Sequence, residues 1–205
     1  MKRIILFILI ICQSFANAMA QRPCISLGME GGTNMNKILG QSFKQKFNFN
    51  YYVGAFSNLG LTKKFGIQPE LLFIHSTATT SNKFYDIYSE KFLWYDPTNH
   101  GISHQASLDY LSIPILASML LIKGVYLQAG PQFSFLIYQN KDLVPNRGQA
   151  FKTGNFSLVG GIWIKFPFHI NFIGRYVIGV NNINNFGNQD KWTIQCIQLG
   201  IGTTL

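Results

Sequence analysis

The strongest constraint in this sequence is a two-residue hydrophobic period that keeps returning. Val125, Leu127, Ala129, Pro131, Phe133, Phe135 and Ile137 fall on one face of a run ending at Tyr138, with Gln128, Gly130, Gln132 and Ser134 on the other. A β-strand sends successive side chains to opposite sides, so this pattern describes a strand with two unlike faces. The pattern recurs over 170–180, where Ile170, Phe172, Tyr176, Ile178 and Val180 oppose Asn171, Arg175 and Gly179. It recurs again at the C-terminus, where Ile197, Leu199, Ile201 and Leu205 oppose Gln198, Gly200, Gly202 and Thr204. Five further stretches (24–33, 47–59, 65–76, 106–120 and 155–166) obey the rule less cleanly and bring the strands to eight. No helical periodicity follows residue 20.

The connections alternate in length. Residues 34–46, 77–105, 139–151 and 181–191 are long and polar, whereas Gly60–Lys64, Leu121–Gly124 and Phe166–Phe168 are tight turns. An even strand number, with short turns on one rim and long loops on the other, describes an up-and-down antiparallel β-barrel of the outer-membrane kind. That architecture places both termini on the periplasmic side and the long loops outside.

The N-terminus fits an exported chain. Lys2 and Arg3 precede the apolar run Ile4–Ile11, and Ala18-Met19-Ala20 offers a small-x-small cleavage site. The apolar run is too short to span a bilayer as a helix, which needs about 20 residues. Residues 1–20 are therefore read as a signal peptide and 21–205 as a single barrel domain. Cleavage removes two of the 17 basic residues and none of the 8 acids, so a net charge of +9 becomes +7. This excess sits largely in turns and loops (Lys44, Lys46, Lys63, Lys64, Lys123, Arg147, Lys191) rather than on a helix or an Arg stripe. The distribution points away from nucleic acid and toward anionic lipid and lipopolysaccharide. An oxidising compartment permits a bridge between Cys24 and Cys196, but these lie near opposite ends of the first and last strands.

Alternation alone does not say which face is outside. A soluble barrel would show water a charged exterior. Here the polar face is mostly Gly, Ser, Asn and Gln, and its charges are few: Glu30, Glu70, Lys165, Arg175 and, near the rim, Asp109. So sparse a set suits a packed polar lumen inside an apolar wall. Phe47, Phe49, Tyr51, Phe135, Phe156, Phe166 and Trp192 lie near strand ends, as aromatic girdles do.

Three motifs carry a family resemblance. Gly66-Ile67-Gln68-Pro69-Glu70-Leu71-Leu72-Phe73, Leu108-Asp109-Tyr110-Leu111-Ser112-Ile113-Pro114 and Tyr126-Leu127-Gln128-Ala129-Gly130-Pro131 follow one another in order. They resemble the third, fourth and fifth strands of the PorT-like outer-membrane β-barrel family of the Bacteroidota. Ser112 stands where that family commonly has Glu, and Leu205 where assembly signals prefer an aromatic residue. The resemblance implies insertion by the barrel-assembly machinery and an accessory role in the cell envelope, linked to protein secretion.

Two sets of residues stand out as sites. Glu30, Glu70 and Arg175 lie at similar heights on polar-face positions, so Arg175 is expected to balance both acids in a mid-barrel cluster. Eight strands leave an interior just filled by side chains, which argues for a plug over a pore. The second set is in loop 77–105, where Tyr85, Tyr88, Phe92, Trp94 and Tyr95 interleave with charges. Aromatic residues of this kind are favoured at binding surfaces; the plainer reading, and the leading one here, is that they pack on one another or on the girdle.

Enzymatic chemistry finds little footing. His75-Ser76 and Ser103-His104 are adjacent pairs, which a strand sends to opposite faces, and His104 and Asp109 differ in parity. Nothing else in the sequence calls for a cofactor, and His100 and His104 lack the neighbouring Cys or acids of a metal site. The expectation is a non-enzymatic outer-membrane barrel. A surface adhesion module and a lipid-modifying enzyme are the alternatives.

Overall fold

A computed structural model describes residues 24–88, 103–140, 150–187 and 190–205, with the side chains of 24, 85 and 86 left out. The expected signal peptide, His100, and Phe92, Trp94 and Tyr95 lie outside the described residues, as does the side chain of Tyr85. Eight strands run in chain order: β1 (Cys24–Leu39), β2 (Asn48–Gly60), β3 (Phe65–Thr79), β4 (Gln105–Ile122), β5 (Val125–Gln139), β6 (Gly154–Lys165), β7 (Ile170–Gly179) and β8 (Thr193–Thr204). Each pairs antiparallel with its sequence neighbours, and β1 pairs with β8 to close the barrel. A short helix α1 (Lys83–Tyr88) follows β3, and a 3-10 turn (Pro167–His169) joins β6 to β7.

The short turns are made by local chemistry. Lys123 and Gly124 alone link β4 to β5, and Gly124 takes a left-handed φ of 84°. In the β6–β7 turn that conformation falls on Phe168 and His169, at φ 64° and 63°.

Side chains alternate between wall and lumen as the two-residue period requires. Outward residues are apolar and open: Phe49 is 77 % exposed, Leu71 51 % and Ile201 56 %. Inward residues are closed off, and many are polar, including Gln68, Gln128, Ser112, Ser134 and Gln198. Water would not tolerate a continuous apolar belt around a monomer, whereas hydrocarbon requires one. Phe133 and Phe156 meet on this wall with ring centroids 5.1 Å apart, and Phe166 and Phe172 do the same at 5.1 Å.

The structure corrects the expected layout in three places and bears out the separation of the two cysteines. β1 runs six residues beyond its expected end at 33, because Asn34 and Asn36 continue the strand as lumen-facing residues rather than opening the long loop. Asn34 Nδ2 donates to the His75 carbonyl at 3.1 Å and Asn36 Nδ2 to the Thr77 carbonyl at 3.0 Å. Trp192, expected in a girdle, is wholly buried among the loops. Asp109, expected in the lumen, faces outward, because odd-numbered residues of β4 lie on the wall and even-numbered ones inside. Cys24 pairs with Gly60 at one end of β1 whereas Cys196 pairs with Asn36 near the other, and Cys196 is a buried free thiol.

Candidate functional site in the lumen

The lumen is organised in levels from the turn end to the loop end. Nearest the turns, Trp163 meets Phe56 edge to face, centroids 4.8 Å apart, and its Nε1 donates to Asn171 Oδ1 at 3.2 Å. Gly28 and Gly200 make room here, because a Cβ on either would strike the ring of Phe56 or the phenol of Tyr52 lying across the lumen.

The ionic level lies above. Arg175 of β7 donates from Nη1 to Glu70 Oε2 and from Nη2 to Glu70 Oε1, both at 2.7 Å. Nη1 also reaches Glu30 Oε1 of β1 at 3.1 Å, and Nη2 reaches Gln128 Oε1 of β5 at 3.2 Å. Gln68 extends the network, donating to Glu70 Oε1 at 2.8 Å and accepting from Gln128 Nε2 at 3.0 Å. The Arg175 guanidinium lies 5.7 Å from the Trp163 ring centroid. The planar fork of Arg suits this two-pronged grip, and its single charge offsets the cost of taking one carboxylate out of water. The structure thus brings Glu30, Glu70 and Arg175 together and adds Gln68 and Gln128. The glutamines were not singled out from the sequence because amides are common on that face; for Gln68 the available signal was its shared parity with Glu70 on β3.

A polar chamber follows. Its cavity of ≈ 30 Å³ is lined by residues including Asn34, Ser112, Ser134, Gln132, Asn155, Gln198 and Cys196. Ser112 donates to Ser134 at 2.8 Å, and the Cys196 thiol donates to Asn34 Oδ1 at 2.5 Å. Tyr110 Oη, Gln132 Oε1, Asn155 Oδ1 and Gln198 Oε1 have no protein partner. That volume holds on the order of two water molecules, which would satisfy these atoms.

The described parts of the loops interlock as one cap over the chamber. Phe43 bridges to Thr80 and Phe151 to Asn184. Asp190 Oδ2 accepts from the Ser42 amide at 2.9 Å, the Ser42 hydroxyl at 2.6 Å and Trp192 Nε1 at 3.1 Å. Trp192 packs against Phe43, Phe151, Tyr88 and Phe186 with centroids 4.9 to 5.9 Å away. Tyr88 was one candidate for an outward interaction surface, beside the plainer reading that it packs on other aromatics. It points inward from α1, wholly buried, with its hydroxyl accepting from Asn184 Nδ2 at 2.7 Å. Burial raises its phenol above the ordinary range.

Among the described residues these levels are joined by hydrogen bonds, ring contacts and ion pairs, and they sit inside an apolar wall. A family model described as "Outer membrane protein beta-barrel domain" matches residues 16–185. The chain belongs to this family. It is an outer-membrane β-barrel, and the apolar belt is its lipid-facing surface. Among solved structures it is similar to Ail, the attachment invasion locus protein of Yersinia pestis, in complex with the heparin analogue sucrose octasulfate. That match has 7 % identity and a TM-score of 0.51, over 88 % of this chain and 99 % of Ail. It is also similar to OprG of Pseudomonas aeruginosa, at 9 % identity and TM-score 0.49, over 89 % of this chain and 97 % of OprG. At such identities the likeness is one of fold. No curated protein matches the sequence.

The structure also pairs two residues that the sequence reading kept apart. His75 and Asp109 are register partners on β3 and β4, and His75 Nδ1 lies 2.6 Å from Asp109 Oδ1. Spacing along one strand cannot reveal this contact, because it is made across two. It sits on the outer wall, away from the lumen.

Proposed function

We propose that this barrel is a non-enzymatic, non-conducting component of the outer membrane with a structural or accessory role in the envelope. The observation carrying this reading is the ionic level, where Arg175 ties β7 to β1, β3 and β5 across the lumen. A side-chain bridge of that kind obstructs an eight-stranded interior already at its packing limit. The interlocked cap supports the same reading from above. Planar-bilayer recording of the purified protein tests it: the baseline should stay closed, and large stable conductance steps would refute it.

The PorT-like motifs on β3, β4 and β5 support a finer role in protein secretion. Deletion of the gene, scored together for secretion, lipid composition and envelope integrity, should then lower secretion while leaving lipid composition unchanged.

Adhesion is the second reading, favoured by the way Phe84 and Tyr88 anchor the base of the long second loop in the cap. Ail, which shares the fold, is an attachment protein by name. Deleting residues 89–102 should abolish cell or glycan binding if this reading holds, with the barrel still folded.

A further inference from the structure

The outward faces of β3 and β4 change character at the same height. Reading toward the loops, β3 presents Phe65, Ile67, Pro69, Leu71 and Phe73, then His75, Thr77 and Thr79. β4 presents Ala117, Ile115, Ile113 and Leu111, then Asp109, Ser107 and Gln105. Phe65 to Phe73 covers roughly 27 Å along the strand, or roughly 20 Å along the axis at the usual tilt, close to the ~25 Å apolar band of such barrels. On these two strands His75 and Asp109 are therefore the first polar residues above the hydrocarbon on the loop side.

Their surroundings define a half-sheltered site. The side chains are 24 % and 21 % exposed. Tyr51 of β2 stacks on the His75 ring, centroids 5.2 Å apart at 16°. Tyr138 of β5 is the register partner of Asp109, and the β4–β5 ladder shifts register just beyond that pair. Tyrosines of this kind settle at head-group level. Nδ1 faces Asp109, so Nε2 lies on the opposite edge of the ring, and no group among the described residues takes it. With Nδ1 engaged by Asp109, the one ring nitrogen left to donate outward is Nε2, at the height where lipid phosphates lie.

We propose that the His75–Asp109 pair, flanked by Tyr51 and Tyr138, is a head-group site in which His75 Nε2 donates to the phosphate of an outer-leaflet lipid. The contact would fix the height and rotation of this side of the barrel in the membrane. Neither residue belongs to the lumen network, so the proposal stands apart from the closed-barrel reading.

The test is a 15N–31P dipolar-recoupling measurement on full-length, histidine-labelled protein in phosphatidylglycerol bilayers. The expected result is phosphorus-dependent dephasing of the His75 Nε2 signal, which is assigned by its disappearance in His75→Phe. Asp109→Asn should lose the dephasing while keeping the heat-modifiable gel shift of a folded barrel. No dephasing in the wild type would overturn the proposal. So would equal dephasing in Asp109→Asn, because the carboxylate would then have no part. A second arm uses phosphate-free glycolipid bilayers with inorganic phosphate in the buffer. Dephasing there would mean capture of free phosphate rather than lipid and would also overturn the proposal. Fatty-acid release by the wild type but not by His75→Phe would reassign the pair to ester hydrolysis.

Discussion

Arg175 and Glu70 face each other across the lumen through two parallel contacts, Nη1 to Oε2 and Nη2 to Oε1, each 2.7 Å. Their side chains are 1 % and 0 % exposed. Arg175 is also the cation for Glu30, so removing Arg175 alone leaves two acids buried without it, and buried charges left unpaired keep their desolvation cost. Arg175→Met should cost about 3–5 kcal/mol in urea unfolding from lipid vesicles. Replacing Arg175, Glu70 and Glu30 together by Met should cost less than that single loss. A triple variant at least as damaged as Arg175→Met would show that the three charges are not coupled.

The lipid-facing assignment has a depth-dependent signature. Leu71 lies midway up the outer wall, whereas Ile25 lies at the turn end beside Leu59. Arg at the midplane costs roughly 2–4 kcal/mol and near an interface roughly 0–1 kcal/mol. Leu71→Arg should therefore destabilise the folded barrel well beyond Ile25→Arg, measured by the same unfolding assay. Equal costs would place the wall in water.

Hydration of the chamber is open to direct measurement. Water-edited solid-state NMR should show fast transfer from water to the side-chain amides of Gln132, Asn155 and Gln198, although all three are buried. Tyr110→Phe should cost about 1 kcal/mol, because it withdraws one hydrogen-bond partner from that water. Amides that remain dark to water would mean a dry cavity.

The cap should loosen on its own at high pH. An unburied tyrosine titrates near 10, and Tyr88 in the closed cap is raised above that value by burial. The closed cap thus holds its proton to higher pH than an open one would. Its stabilisation by Tyr88 is complete below about pH 10 and declines as pH climbs through the raised value. Near-UV circular dichroism and tyrosinate absorbance, followed together, should report that transition. In Tyr88→Phe the circular dichroism step should vanish.

Trp192 holds the cap from its centre. Truncating a buried Trp to Ala costs about 3–5 kcal/mol where its neighbours cannot collapse. Trp192→Ala should therefore make the loops susceptible to protease while the strands keep their heat-modifiable shift. Loss of the whole barrel would show that cap and wall fold as one unit.

The ionic level was legible in part, since Glu30, Glu70 and Arg175 share the polar face at similar heights. The aromatic cap was not. Trp192 read as a girdle residue and Tyr88 as one candidate for an outward surface, because a loop aromatic carries no parity to say which way it turns. Asn34 and Asn36 read as the start of a long polar loop, because the β3 carbonyls that hold their amides are about forty residues away in sequence.

The sequence by itself determined the strand count, the two faces of the wall and the membrane address, because these follow from a period of two and from how sparsely one face is charged. Only the tertiary structure decided what lies across the lumen and across neighbouring strands. The reach of Arg175 to three other strands, the closing of four loops on Trp192, and the meeting of His75 with Asp109 all depend on register and closure. Closure sets residues far apart in the chain side by side, and no local pattern records which ones.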